Sequence, residues 1–151
     1  MLDQRLLNEV CDHAAASAVV AKSWRDRGRA PIGFIKGIAC TYALCLQKLS
    51  AKDSAAEAMV RVVEEGYDVF DALQGALKNA GIPTEGASDI ERLRALFVIL
   101  MGLAGRESKF GRDIGRDRSA RNMSSDTAEA GTWQQSWDSS STSPELERLL
   151  H

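Results

Sequence analysis

A mainly α-helical chain is predicted by three features of this sequence. Through the N-terminal two-thirds, apolar residues recur at steps of three and four. Two of those stretches are preceded by a serine with a glutamate three residues on, the spacing of a helix capping box. Finally, no stretch alternates polar and apolar residues as a half-buried strand does. Together these give five helices joined by short connections, packed helix on helix.

Taken in order, Leu7, Val10, Ala14, Ala18, Ala21 and Trp24 mark the first apolar stripe, which Gly28 ends with Pro31 beyond. Phe34, Ile35, Ile38, Ala39, Tyr42, Leu46 and Leu49 mark the second. Ser54 and Glu57 form a capping box ahead of Met59, Val62 and Val63, and Gly66 closes that helix. Phe70, Leu73, Leu77 and Ala80 make a fourth, closed by Gly81 with Pro83 two residues on. Ser88 and Glu91 are the second capping box and open a long helix that ends at Glu107.

Glu107 is the residue with the clearest chemical promise. Leu103, Leu100, Leu96 and Leu93 precede it at steps of four and three. At ~100° per residue all four lie within roughly 40° of Glu107 around the helix axis. The carboxylate is therefore expected on the buried stripe, where that stripe runs out. Partial desolvation there raises a carboxyl pKa, as a proton donor near neutral pH requires. The plainer alternative is a terminal glutamate turned into water.

The character of the chain changes after Glu107. Between Ser108 and Pro144 there is little periodicity and much Gly, Ser, Asp and Arg, with Gly111, Gly115 and Gly131 as punctuation. A loop-rich or short-hairpin lobe beside a helical body fits that composition, with Phe110 and Ile114 to pin it down. A disordered polar tail is the competing account, and Phe110, Trp133 and Trp137 argue against it. Ser143, Pro144, Glu145 and Leu146 look like an N-cap with proline at the first helical position. The organisation expected is one domain over 1–151: a helical body at 1–107, a polar cleft lobe at 108–142, and the start of a further helix at 143–151.

Several motifs carry a family resemblance. Gly105-Arg-Glu-Ser-Lys-Phe-Gly111 is followed by Gly131-Thr132-Trp133-Gln134. A helix-terminal Glu-Ser with a downstream Gly-x-x-Gln resembles the lysozyme-like superfamily of soluble lytic transglycosylases and goose-type lysozymes. Arg106-Glu-Ser, Gly115-Arg-Asp, Ser119-Ala and Asp126-Thr-Ala-Glu-Ala-Gly131 look still more like a group of uncharacterised bacterial lysozyme-like proteins. Arg27-Gly-Arg-Ala-Pro-Ile-Gly-Phe-Ile-Lys-Gly37 is similar to the N-terminal region of that group. The strong part of the resemblance runs from about Leu100 to Asp138.

The resemblance implies a lysozyme-like helical domain that cleaves the MurNAc–GlcNAc β-1,4 bond of peptidoglycan, with Glu107 as general acid and base. Ser108 would orient the substrate, and Gly131 and Gln134 would hold N-acetylated sugars. Thr132 departs from the usual leucine of that element. Trp133 and Trp137 are four apart, a spacing that serves a helix core or a pair of sugar-stacking faces equally well. A second carboxylate would come from Asp117, Asp126, Glu129 or Asp138. In the transglycosylase scheme none is needed, because the muramic acid's own 6-hydroxyl attacks and gives a 1,6-anhydro product. Hydrolysis and transglycosylation remain open. So does a non-catalytic glycan-binding role, or that of a truncated inactive homologue acting as an interaction protein. Such folds normally continue with further helices, so the chain is expected to be C-terminally short for the family.

Composition sets the remaining bounds. The 151 residues are 44% hydrophobic, enough to build a core. With 19 basic and 21 acidic residues the net charge is −2, so no overall basic field points to nucleic acid. Arg106, Lys109, Arg112, Arg116, Arg118 and Arg121 are a local basic cluster, either a solvated face or an attraction for an anionic polymer. The aromatics come a dozen residues later, which favours sugar over base. No cofactor is implied, and no Cys-x-x-Cys or His-x-x-x-His spacing suggests a metal. No apolar run of membrane-spanning length or secretory signal is recognisable. A cytoplasmic, mature or phage-derived form is expected, acting at the bacterial cell wall or periplasm. Cys40 and Cys45 lie about 140° apart on a helix, a poor geometry for a bridge. Cys11 reaches one of them only if the first two helices pack closely; otherwise the three are small apolar residues.

Overall fold

The computed structural model describes residues 3–62, 68–111 and 131–134. Within them the fold is mainly α, as the sequence predicts: α1 (Gln4–Ala16), α2 (Ile32–Ser50), α3 (Ser54–Val60), α4 (Val69–Asn79) and α5 (Asp89–Ser108). Single 3-10 turns occupy Ala18–Ala21 and Arg25–Arg27. No strand forms among the described residues, only an isolated antiparallel bridge between Ser23 and Arg29.

Local chemistry sets the boundaries. Asp3 caps α1 by accepting from the Leu6 N–H at 2.8 Å. The helix stops at Ala16, well short of Trp24, because Ser17 turns back on it. The Ser17 Oγ donates to the Ala14 carbonyl at 2.7 Å, and the Ser17 N–H reaches the same oxygen at 3.2 Å. Ala18, Ala21 and Trp24 therefore do not continue α1. The capping box expected at Ser54 and Glu57 is replaced. Asp53, one residue before Ser54, caps α3 by accepting from the N–H groups of Ala55 and Ala56. Ser88 and Glu91 do form theirs: the Ser88 N–H donates to Glu91 Oε2 at 2.8 Å, and the Glu91 N–H reaches Ser88 Oγ at 3.4 Å. At the end of α4, Gly81 takes the left-handed φ of 72° that a closing glycine supplies. The Ile82 N–H then reaches the Leu77 carbonyl at 2.9 Å and the Gly81 N–H that of Lys78 at 3.0 Å.

The chain divides into two compact units, Met1–Lys22 with Pro31–Met101, and Ser23–Ala30 with Gly102–His151. The expected boundary after Glu107 falls inside the second. In the first unit, one core joins α2, α3 and α5 through Leu49, Ala56, Val60, Leu93 and Phe97. Tyr42 packs edge-on to Phe97 at 5.3 Å between ring centroids. A second cluster joins α4 to α5 through Phe70, Leu77, Ile82 and Ala95. Burial of a side chain such as Leu93, with no exposed surface, contributes about 1.5–3 kcal/mol. α2 is long and apolar enough to cross a bilayer by length and composition alone, which corrects the expectation of no apolar run of that length. Here it packs against α1 and α3 and gives Ile35 and Leu49 to the core.

A buried ion pair ties the first unit together. Arg92, on α5, donates to Asp68 Oδ2 at 2.7 Å and to the Val60 carbonyl at 2.7 Å. Its guanidinium lies 4.2 Å above the Phe70 ring. Asp68 Oδ1 meanwhile accepts from the Phe70 N–H at 2.9 Å and so caps α4.

Candidate functional site

The C-terminal end of α5 belongs to the second unit, and its geometry is set by a sharp reversal. Lys109 and Phe110 both take left-handed backbone conformations, with φ of 52° and 64°. That folds the chain back on the helix: the Phe110 N–H reaches the Ala104 carbonyl at 3.1 Å, and Gly111 that of Ser108 at 3.0 Å. The Phe110 ring, 3% exposed, comes to rest over Gly105. A Cβ at Gly105 would lie 2.7 Å from Phe110 Cζ, so only glycine leaves room for the ring. Trp24 packs edge-on against the same ring, at 5.6 Å between centroids. Trp24 is thus a partner of Phe110 rather than the last residue of the α1 stripe. Among the described residues its buried indole Nε1 has no hydrogen-bond acceptor.

Glu107 lies on this scaffold in a different setting from the one its leucine stripe predicts. By the end of α5 the buried face has moved on to Ala104 and Ser108, one residue, or about 100°, round from Leu103 and Glu107. Leu103 is 39% exposed. Glu107 is exposed as well, its side chain at 37%, and its Oε1 lies 3.5 Å from Arg106 Nε. Ser108 takes the desolvated position instead. Its Oγ is buried and donates to the Ala104 carbonyl at 3.0 Å, so the hydroxyl secures the helix end.

The Gly-x-x-Gln element is a turn. Gly131 has φ of 77° and Gln134 of 48°. The Gln134 N–H reaches the Gly131 carbonyl at 3.2 Å, and its side-chain Nε2 donates to the same oxygen at 2.8 Å. Gly131, Thr132, Trp133 and Gln134 are all half-buried. The Gln134 amide, for which the family resemblance implies a sugar, is therefore engaged by its own turn through one of its two N–H groups. Asp117, Asp126, Glu129, Trp137 and Asp138 lie outside the described residues, as do Ile114 and the basic cluster beyond Lys109.

Two further features lie in the first unit, and only the first has no counterpart in the sequence reading. The first is a cavity of about 240 Å³ with apolar walls from Ala14, Ile35, Ile38, Ala39, Tyr42, Phe97, Val98 and Met101. Arg94, Ser17 and Val19 complete it, and among the described residues no carboxylate, thiol or histidine lines it. Small residues at Ala14 and Ala39 on facing helices were the available signal for such a gap. The second is a thiol pair, Cys11 and Cys40, with their Sγ atoms 3.2 Å apart. No group of three or more His, Cys, Asp or Glu side chains is placed to hold a metal among the described residues.

No family model matches the chain, and neither a curated protein nor a solved structure is found to be similar to it.

Proposed function

We propose that the chain cleaves peptidoglycan, or a related N-acetylated glycan, as a lysozyme-like glycosidase with Glu107 as its general acid and base. The observation that carries this reading is the placement of Glu107. Its carboxylate reaches the surface at the end of α5, on a helix terminus fixed by Ser108 and Phe110. The Gly131–Gln134 turn belongs to the same compact unit. A carboxyl that protonates a glycosidic oxygen must meet its substrate, and this one is open to solvent on a rigid support. A sugar seated over the end of α5 would displace water from it. The carboxyl would then donate its proton to the leaving oxygen. It would recover one from the attacking 6-hydroxyl or from water, according to whether the product is anhydro or reducing.

A second reading, a glycan-binding protein without catalysis, is favoured by one contact: Arg106 already pairs with Glu107. Mass spectrometry of purified peptidoglycan incubated with the chain and with Glu107→Gln separates the two. Anhydro-muropeptides from the parent alone make it a transglycosylase, and reducing-end products from the parent alone a hydrolase. Equal products from both remove Glu107 from the chemistry. Retained sedimentation with peptidoglycan and no products from either support the binding role. Neither products nor binding would end the glycan assignment.

A further inference from the structure

We propose that Cys11 and Cys40 are a disulfide-forming pair that staples α1 to α2, with Cys45 left as a free thiol. Their Sγ atoms lie 3.2 Å apart across the α1–α2 contact. A disulfide needs ~2.05 Å, so closing it takes a shift of about 1 Å, within the reach of side-chain rotation. Cys40 Sγ also lies 3.9 Å from the Leu7 carbonyl on α1, so the two helices are held together at this level.

The arrangement answers a local weakness. α1 has no fully buried residue, and its hold on the first unit rests on half-buried side chains such as Leu7, Val10, Cys11 and Ala14. Cross-linking residues 29 apart removes open conformations from the unfolded chain, and more of them than a short loop would. Cys45 does not compete. It sits about 140° round α2 from Cys40, and it packs against the Leu49, Val60 and Phe97 cluster.

The chemistry is thiol–disulfide exchange with a small-molecule disulfide as oxidant. One cysteine loses its proton and attacks a sulfur of the oxidant, which releases one thiol. The second cysteine, also deprotonated, attacks the mixed disulfide and releases the other. The pair thus gives up two protons and two electrons, and the oxidant leaves as two thiols.

The test is oxidation of the reduced full-length chain by oxidised glutathione, followed by intact mass and tryptic mapping. The expected product lacks two hydrogens, carries no glutathione, and joins the peptide 6–22 to the peptide 37–48. Cys45→Ser should give the same link, while Cys11→Ser and Cys40→Ser should not, each with unchanged helical circular dichroism. The oxidised form should melt higher, by on the order of 10 °C, and dithiothreitol should reverse the rise. A link through Cys45, stable glutathione adducts on Cys11 and Cys40, or a link that lowers the melting midpoint would overturn the proposal.

Discussion

Arg92 carries more of this fold than any other polar side chain described. It is 8% exposed, yet its guanidinium meets a carboxylate, two backbone carbonyls and an aromatic face. Asp68, 5% exposed, neutralises it and caps α4 with its other oxygen. An arrangement of this kind is asymmetric: loss of one partner strands the other charge in the interior. Asp68→Asn keeps the size and part of the capping ability but removes the countercharge. It should cost about 3–5 kcal/mol in urea unfolding, with the slope of the transition unchanged. A loss below about 1 kcal/mol would mean that water already reaches the guanidinium. The pair was invisible in the sequence because its members are 24 residues apart and no periodicity links them. The setting of Glu107 was misread in the opposite way. A regular leucine spacing pointed to burial, but burial along α5 drifts round the helix, and Ser108 ends up inside.

Elements were more legible than residues, and the differences have identifiable causes. The core of α2 follows its predicted stripe, α4 buries Phe70 and Leu77 of its stripe and α5 buries Leu93, and Gly81 and the Ser88–Glu91 box end and begin helices as expected. Spacing alone could not show that α1 stops at Ser17, because the 3-10 turn beyond it keeps apolar residues near the same interval. Asp53 displaced Ser54 as a cap because a charged carboxylate one residue earlier is the stronger acceptor, and it takes the N–H groups of Ala55 and Ala56. The reversal at Lys109–Phe110 was also unreadable, since neither residue type favours the left-handed conformation it adopts. Gly105 is the test of that reversal. On helix propensity alone, Gly105→Ala should stabilise α5 by about 1 kcal/mol. Packing predicts the reverse: the new methyl meets the buried Phe110 ring, and overpacking of that kind costs about 1–3 kcal/mol. The variant should unfold at lower urea and lose near-ultraviolet signal from the Trp24–Phe110 pair. A gain in stability would show the ring free to move.

For the molecule as a whole, the titrating groups predict stability that falls on both sides of neutrality. Glu91 is held below its ordinary value of 4.5, first by the Ser88 N–H and then by the Ser88 hydroxyl. Asp53 is held below 3.8, first by the Ala56 N–H and then by Lys48. Groups lowered by folding stabilise the native state above their unfolded values, and that contribution is lost as pH falls through the folded ones. The acid limb should therefore begin near pH 4.5 and stay shallow, because both carboxylates are exposed. The thiols act in the opposite sense. In the reduced protein Cys40 is raised above 9.0, first by its hydrogen bond with Cys11 and then by burial. Cys45 is raised by burial before any charge effect. Groups raised by folding stabilise it below their unfolded values, and that contribution disappears as pH climbs through the folded ones. Melting midpoints of the reduced chain from pH 3 to 10.5 should thus trace a plateau with a shallow acid fall and an alkaline fall beginning near pH 9. Cys45→Ser should flatten the alkaline side, since a hydroxyl there has no proton to lose in that range. If its alkaline limb matched that of the parent, other groups than the half-buried Cys45 thiol would have to account for it.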